Sequence, residues 1–292
     1  MEQEIPKIFF DRSEALGIEV MDFAQLSQKL APIKGHDPFS MHRIKFFMIL
    51  IVTQNSYTHF VDFEAYEMTE GSALFVAKNQ VHHFTQGLEA AQGYCLVFDH
   101  SFLDRRYILP QSQKLNRLFN YHIETPLLQA WEMQPDSLQG IAWKLHDEYH
   151  FPNGFAKSEM LHTLLHVLLL KAERAKESQS ISGLKTDWLE RFNQFKSLLE
   201  ADYVSTQSSR DYAAKMFISY KFLNEIVKKL SGKTVKAFID DFVAVEIKRY
   251  LISTSLSVKE ISYQTGFEEP ANMIKFFKKN TGITPRRFRE QK

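Results

Sequence analysis

The chain has 292 residues with 36 Lys/Arg, 35 Asp/Glu and one cysteine. The single cysteine excludes an internal disulfide framework and any multi-cysteine metal site. Charge is unevenly distributed, because residues 1–183 carry a net charge of −6 and residues 184–292 a net charge of +7. A basic C-terminal third on an acidic remainder indicates a polyanionic partner for that part alone.

No segment predicts a signal peptide or a membrane span. The first ten residues begin acidic and contain no long apolar run. The apolar stretch from Leu164 to Leu170 is too short to cross a bilayer. These features predict a cytoplasmic protein without a membrane partner.

Short apolar runs separated by turn residues predict strands from about residue 39 to residue 98. Runs of this length at this spacing are typical of a small antiparallel barrel or sandwich. The runs are Ile44 to Val52, His59 to Phe63, Ala73 to Ala77, Val81 to Thr85 and Gly93 to Phe98.

Helical periodicity replaces the strand pattern after Asp99. Leu115, Leu118 and Phe119 recur at helical spacing, and residues 138–149 and 159–177 each form an amphipathic pattern. A serine-rich stretch follows and predicts a linker over residues 178–186. We therefore expect an N-terminal domain over residues 1–177 and a C-terminal domain over residues 187–292.

The C-terminal domain is predicted to contain only helices, and one helix pair has clear start and stop signals. Ser257 and Glu260 form a capping-box pattern, Gly266 supplies a tight turn, and Pro270 suits the first turn of the next helix. A short helix, a glycine turn and a second helix make a helix-turn-helix pattern.

The same pattern occurs a second time, about 50 residues earlier. Ile226-Val227-Lys228-Lys229 precedes Gly232 at the spacing with which Phe276-Phe277-Lys278-Lys279 precedes Gly282. Each segment reads as two apolar residues, two lysines, two further residues and a glycine. The repeat predicts two helix-turn-helix units, with residues 235–252 as a long helix between them.

These motifs resemble the signature of the AraC/XylS family of bacterial transcription regulators. The resemblance covers roughly the last hundred residues, from Glu246-Ile247-Lys248-Arg249 through Thr265-Gly266-Phe267 to Thr281-Gly282-Ile283-Thr284-Pro285. It implies that the second helix of each unit enters the DNA major groove, the two grooves lying about one DNA turn apart.

Carried over by position, the resemblance assigns DNA contacts to the two units. Glu225 departs from the family pattern, because a non-acidic residue often stands there; glutamate can accept a hydrogen bond from cytosine but repels phosphate. The expected base contacts are Tyr220, Lys221, Asn224, Glu225, Ala271, Asn272 and Lys275. The expected phosphate contacts are Ser219, Lys228, Lys229, Lys278, Lys279, Arg286 and Arg287. The alternative for the lysines is an ordinary solvated face.

The N-terminal strands resemble the cupin-type sensor barrel common in the same family. A barrel of this kind can hold a small apolar or aromatic effector, or its core can be filled by its own side chains. The expected effector pocket consists of Phe46, Met48, His59, Phe63, Phe75 and His82. The close His-x-His plus Glu pattern of metal-binding cupins is missing, and His162 and His166 lack the glutamate of a zinc protease.

The sequence therefore predicts a multi-domain α+β protein, with a cupin-like antiparallel β-barrel, trailing helices and an all-α double helix-turn-helix domain. The expected function is sequence-specific DNA binding by a transcription activator that responds to a small molecule. Expected partners are promoter DNA, RNA polymerase and a second copy of the chain through residues 159–177, with no cofactor, no metal and no enzymatic activity. The alternatives are a metal-dependent cupin enzyme with an accessory helical domain, and a regulator controlled by a partner protein.

Overall fold

The computed structural model describes residues 7–8, 16–30, 39–99, 102, 118–119, 125–129, 137–152, 154–179 and 186–290. The chain divides into two compact units, one ending at Ser182 and the other beginning at Gly183. The linker expected at residues 178–186 and the helix expected around Leu115 lie largely outside the described residues.

The N-terminal unit contains two five-stranded sheets, in agreement with the strand-like sequence pattern. The first sheet has the order β1-β3-β8-β5-β6 and the second the order β10-β7-β4-β9-β2. The strands are β1 (Lys7–Ile8), β2 (Ile18–Asp22), β3 (His42–Ile44), β4 (Phe47–Gln54), β5 (Tyr57–Val61), β6 (Glu64–Met68), β7 (Ala73–Val76), β8 (Val81–His83), β9 (Gln92–Phe98) and β10 (Leu127–Leu128).

The helices follow the order that the sequence indicates, apart from one in the N-terminal unit. The N-terminal unit contains α1 (Phe23–Leu30), a 3₁₀ turn (Gln86–Ala90), α2 (Leu138–His150) and α3 (Lys157–Gln179). The C-terminal unit contains α4 (Thr186–Asp202), α5 (Ser209–Lys215), α6 (Tyr220–Ser231), α7 (Val235–Ser253), α8 (Val258–Gln264), α9 (Pro270–Thr281) and α10 (Pro285–Glu290). None of the described helices is long and apolar enough to cross a membrane.

Alternation along β4 places apolar side chains in two separate cores. Met48, Leu50 and Val52 pack in a core that also receives side chains from the first sheet, whereas Ile49 and Ile51 pack in a core shared with α2 and α3. Successive side chains of a strand point to opposite faces, so a strand covered on both faces is apolar throughout. This arrangement explains the unbroken apolar run of β4.

The strand alternation corrects one predicted pocket residue. Phe75 lies in the core shared with α2 and α3, while its neighbours Leu74 and Val76 lie in the core between the sheets. Phe75 therefore does not line the barrel interior together with Met48. The continuous burial of β7 hides the alternation in the sequence, which is why the face of Phe75 could not be read from it.

The leucines of α3 are largely used within the N-terminal unit itself. Leu161, Leu165, Leu168 and Leu169 are all buried in the core against the second sheet. A different set of apolar side chains on α3 remains exposed: Met160, Val167 and Leu170.

The C-terminal unit is built around α7. This helix packs against α6, which precedes it in the chain, and against α9 and α10, which follow it. Its buried residues include Phe238, Ile239, Phe242 and Ile247. The helix also buries an ion pair between Arg249 and Glu246. One helix therefore contributes to the core of both helix-turn-helix units. The fold class expected from the sequence, antiparallel sheets followed by a helical C-terminal domain, is confirmed, with one parallel pairing between β1 and β3.

Candidate nucleic-acid interface

The second helix of each helix-turn-helix unit has the same length and the same ending. Each of α6 and α9 has 12 residues and ends at a glycine in the left-handed conformation, Gly232 with φ 72° and Gly282 with φ 80°. Glycine adopts this conformation without the strain that a Cβ atom causes. The 50-residue repeat in the sequence thus corresponds to a structural repeat.

Their starts differ. Ser219 accepts a hydrogen bond from the amide of Phe222 and caps α6, whereas Glu269 makes no side-chain cap for α9, whose first residue is Pro270. An N-cap oxygen satisfies one of the free amides of the first turn. Ser219, expected to contact phosphate, therefore already has a structural role in the fold.

The turns within the two units share one hydrogen-bond pattern. In the first unit, the amide of Ile218 donates to Ala213 O and the amide of Phe217 to Ala214 O. In the second unit, the amide of Phe267 donates to Ser262 O and the amide of Gly266 to Tyr263 O. Both are Schellman turns, which place one residue at positive φ.

The residue at positive φ differs between the two turns. Gly266 has φ 81°, and a Cβ atom added there would lie 2.4 Å from the carbonyl oxygen of Val204. Phe217 occupies the equivalent position with φ 55°, and its side chain is 96% exposed. The second turn therefore packs closely on the loop that precedes the first unit, and Gln207 reinforces this contact by donating to Thr265 O.

One face of each of these helices is buried in the core of its unit. On α6 the buried residues are Leu223, Ile226, Val227 and Leu230, and on α9 they are Met273 and Phe277. The opposite faces contain most of the residues expected to contact DNA. The exposed ones are Tyr220, Lys221, Glu225, Lys228, Lys229, Ala271, Asn272, Lys275, Lys278 and Lys279.

Asn224 is an expected base contact whose side chain already forms a hydrogen bond within the fold. It is half-buried, and its side-chain oxygen accepts a hydrogen bond from the amide of Val235 at 3.0 Å. This bond joins the middle of α6 to the start of α7. Its use as a base contact stays a prediction, with the side-chain amino group as the donor left for it.

The lysines on the exposed faces keep their charge available. Within the described part of the chain, Lys221, Lys228, Lys229, Lys275, Lys278 and Lys279 form no ion pair with an acidic residue. Other basic residues of the unit are paired, among them Lys215 with Asp202 and Lys233 with Asp241, both at 2.6 Å. Of the two arginines expected at phosphates, Arg286 binds Glu290 and Arg287 is exposed.

The first helix of the second unit begins with the capping box expected from its sequence. Ser257 accepts from the amide of Glu260, and the Glu260 carboxylate accepts from the Ser257 amide at 2.7 Å. The hydrogen bonds from the Ser257 hydroxyl and amide lower the pKa of Glu260 below its ordinary value. The box fixes the start of α8 and therefore the position of the turn that leads to α9.

The histidines predicted to line an effector pocket form a buried network. His59 is fully buried, with its Nδ1 atom 2.8 Å from the hydroxyl of Tyr57 and its Nε2 atom 3.1 Å from Nδ1 of His82. Burial, followed by the charges of His83 and His42, lowers the pKa of His59 to about 3. His59 is therefore a neutral, hydrogen-bonded core residue at neutral pH.

Two further members of the expected pocket, Phe46 and Phe63, are less buried than Met48 and His59. Phe46 and Phe63 are half-buried, and Phe46 packs against the core that contains Met48. Among the residues that the structure describes, no three His, Cys, Asp or Glu side chains are close enough together to hold a metal ion. His162 is buried beside the ring of Phe102, with 5.3 Å between ring centroids.

Comparison with known proteins connects the C-terminal unit to DNA-binding proteins. A family model described as "Helix-turn-helix domain" matches residues 212–291. The HTH-type transcriptional activator RhaS of Klebsiella pneumoniae strain 342 is 23% identical over 272 residues, which cover 89% of this chain and 91% of RhaS. The Msm operon regulatory protein of Streptococcus mutans is 32% identical over 102 residues, 34% of this chain and 36% of that protein.

Among solved structures, the chain is similar to wild-type ToxT from Vibrio cholerae strain SCE256, bound to an unsaturated fatty acid. That likeness covers 93% of this chain and 94% of ToxT, at 14% identity and a TM-score of 0.43. The resemblance to AraC/XylS regulators that the sequence motifs carry is confirmed, because the matched family domain spans both helix-turn-helix units and the RhaS match extends through the N-terminal unit.

Proposed function

We propose that this chain, a DNA-binding transcription regulator of the AraC/XylS family, inserts α6 and α9 into successive major grooves of its promoter. The observation that carries the proposal is the repeated exposed face of these helices, each with lysines that no described acidic residue neutralises. Phosphate contacts by such lysines give affinity, and side chains on the same face read base edges.

The two units contribute different chemistry to this proposed interface. The second unit presents Asn272 and Lys275, which pair well with adenine and guanine edges respectively. The first presents Tyr220, Lys221 and Glu225, and a glutamate accepts from the amino group of cytosine but repels phosphate. We infer that the first unit adds selectivity and less affinity than the second.

Selection of binding sites from a random DNA pool by the full-length protein tests the proposal. The expected product is two short motifs about one DNA turn apart. Lys275→Ala relaxes the preference at one or two base pairs of one motif, whereas Lys278→Ala weakens binding to all sequences alike and lowers the salt slope by about 1. Lys144→Ala, an exposed lysine of the N-terminal unit, is the matched control.

Failure to enrich any motif with folded protein at low salt contradicts the proposal. Equal loss of affinity in Lys144→Ala and Lys278→Ala contradicts the assignment of the interface to α9. Loss of base preference in Lys278→Ala rather than Lys275→Ala reverses the roles of the two lysines.

We further infer that the protein is an activator that works as a homodimer and contacts RNA polymerase in the cytoplasm. Its RhaS relatives are named transcriptional activators, which supports the sign of regulation. The exposed side chains of Met160, Val167 and Leu170 lie along α3, while the leucines of that helix are used within its own unit. These three side chains form an exposed apolar stripe on α3. We infer that α3 of a second copy packs against this stripe, which is the dimer contact that the sequence predicts for this helix.

The alternative of a metal-dependent cupin enzyme has less support. The candidate ligands of such an enzyme are the barrel histidines His59, His82 and His83. His59 and His82 hydrogen-bond each other, and the described residues assemble no three-ligand group. The two relatives described above, RhaS and the Msm operon regulatory protein, are named as regulators and not as enzymes. Metal analysis of the purified protein separates the two, because an enzyme of this kind retains a stoichiometric metal that His59→Gln removes.

A further inference from the structure

An open groove of about 590 Å³ lies in the N-terminal unit, bordered by α1, the 3₁₀ turn and β9. Its volume is within the range of small-molecule sites. The lining residues are Asp22, Phe23, Ala24, Ser27, Gln28, Thr53, Leu88, Glu89, Ala91, Gln92, Gly93 and Tyr94. The lining includes none of the residues predicted to form the effector pocket, although its apolar residues Phe23, Leu88 and Ala91 also belong to the inter-sheet core.

Two backbone features shape the groove. The pairing of β4 with β9 shifts register between Val52 and Gln54, a bulge at the position of Thr53. Bulges re-aim side chains and occur next to binding sites. Gly93 brings β9 close to its neighbours, since a Cβ atom there would lie 2.1 Å from the oxygen of Ile51 and 2.7 Å from the ring of Phe23.

The chemistry of the lining is negative and rich in hydrogen-bond acceptors. Asp22 and Glu89 are the charged residues of the lining, which includes no lysine, arginine or histidine. Phe23, Leu88 and Ala91 are buried and give the groove an apolar base. Burial and the charge of Asp22 raise the pKa of Tyr94, so its hydroxyl stays protonated beside that carboxylate.

We propose that this groove binds a small organic cation, with an ammonium or guanidinium group held by Asp22 and Glu89 and its carbon chain on the apolar base. A cation satisfies the two carboxylates, and its N–H groups donate to the glutamine and threonine oxygens of the lining. An anion meets two like charges in this lining. The basic group beside Asp22 is His146, whose Nε2 atom lies 3.9 Å from Asp22 Oδ2, and burial lowers the pKa of His146 below its ordinary value, so it adds no positive charge at neutral pH. That such binding controls transcription rests on the proposed function.

Asp22 connects the groove to α2 through one glutamine. Asp22 Oδ1 accepts from the amide of Gln25, and the Gln25 side-chain oxygen accepts from the amide of Asp22 at 2.9 Å. The same oxygen lies 3.0 Å from Nε2 of His146, and the Gln25 amino group lies 3.2 Å from Nε2 of His150. Both histidines belong to α2.

The protons of this network are determined by the acceptors around them. His150 Nδ1 lies 2.9 Å from the carbonyl oxygen of His146, so Nδ1 carries the hydrogen and Nε2 accepts from Gln25. His146 Nε2 in turn donates to the Gln25 oxygen. A bound cation that draws Asp22 towards it weakens the hydrogen bond from the Gln25 amide to the Asp22 carboxylate. Because Gln25 contacts the histidines of α2 and α2 packs along α3, we infer that a shift of Gln25 is passed on to the proposed dimer helix α3.

Calorimetric titration of the full-length protein tests the proposal, with putrescine and agmatine as cationic probes. The matched neutral probe is 1,4-butanediol, which has the carbon chain of putrescine without its charge. We expect saturable binding of at least one amine at physiological salt and none of the diol. Glu89→Gln should weaken amine binding at least tenfold, while Glu70→Gln, an exposed carboxylate outside the lining, should leave it unchanged.

Asp22→Asn supplies a second variant, since it removes the charge but keeps an oxygen for the cap. Absence of saturable binding for both amines at millimolar concentration overturns the proposal, as does equal binding of the diol or an unchanged affinity in both Glu89→Gln and Asp22→Asn. DNA site selection on the same preparation separates the two hypotheses. A preserved DNA motif with no amine binding overturns this inference alone, whereas loss of the motif overturns the proposed function.

Discussion

Three glycines at nearly the same positive φ allow the turn between α8 and α9 to be tested against internal controls. Gly232, Gly266 and Gly282 have φ of 72°, 81° and 80°. A Cβ atom at Gly232 or Gly282 meets nothing within 4 Å, whereas at Gly266 it lies 2.4 Å from the Val204 oxygen. Alanine at either open position should therefore cost only the left-handed penalty, about 1 kcal/mol.

Gly266→Ala adds a steric overlap with backbone that cannot rotate away. Overpacking of this kind costs about 1–3 kcal/mol beyond the left-handed penalty, so the total is about 2–4 kcal/mol. Phe217→Gly acts in the opposite direction, because it relieves a left-handed residue whose side chain is 96% exposed. It should leave stability unchanged or raise it by less than about 1 kcal/mol, since glycine loses more entropy on folding.

Amide hydrogen exchange on full-length protein measures these effects locally, through peptides that span α4 to α9. Gly266→Ala should speed exchange both in α8 and in the loop at Val204, while Gly282→Ala should affect only the end of α9. Equal destabilisation by Gly266→Ala and Gly282→Ala would refute the close packing of the two units.

Three further predictions follow from local contacts. Ser257→Ala should destabilise the start of α8 by about 1 kcal/mol and speed its hydrogen exchange. Because the pKa of Glu260 is lowered in the folded chain, the stability difference between Ser257→Ala and the unsubstituted protein should shrink as pH falls through that lowered value. A pH-independent difference would contradict the capping box. His59 has a folded pKa of about 3 against an ordinary 6.5, so the unfolded chain takes up the proton first as pH falls. Stability should then decrease by up to about 1.4 kcal/mol per pH unit below pH 6.5, and urea unfolding of His59→Gln should show a smaller slope. Val167→Glu with Leu170→Glu should convert a dimer to a monomer in sedimentation, and an unchanged mass would exclude the exposed stripe of α3 as the interface.

The helices of the C-terminal unit could be predicted because nearby capping and turn residues determine where each helix begins and ends. Ser257, Gly266 and Pro270 act within a few residues of where they stand, so capping and turn rules suffice. The left-handed conformation of Phe217 was not visible in the same way, because the surrounding sequence gives no sign that Phe217 stands where the second unit has a turn glycine. Only the hydrogen-bond pattern of the turn, matched against that of Gly266, identifies it.

The N-terminal unit was harder to read. The helix α1 and strand β2 were missed, although Asp22 followed three residues later by Gln25 is a cap signal that precedes the apolar residues of α1. The groove could not be predicted at all, because it forms where α1 meets β9, about 70 residues later in the chain. The face of Phe75 was assigned wrongly because a strand buried on both sides has no polar residues to mark its orientation.

Helix α7 limits which properties of this protein can evolve. Because α7 supplies core residues to both helix-turn-helix units, the separation of α6 and α9 is set by buried side chains that a substitution can hardly alter without unfolding the unit. Apart from Asn224, which is half-buried and bonded to the amide of Val235, the side chains proposed to read DNA lie on the opposite, exposed faces and contribute little to that core. In the proposed interface, preference for a new promoter sequence can therefore evolve one residue at a time, whereas the spacing between the two proposed DNA segments is inherited almost unchanged.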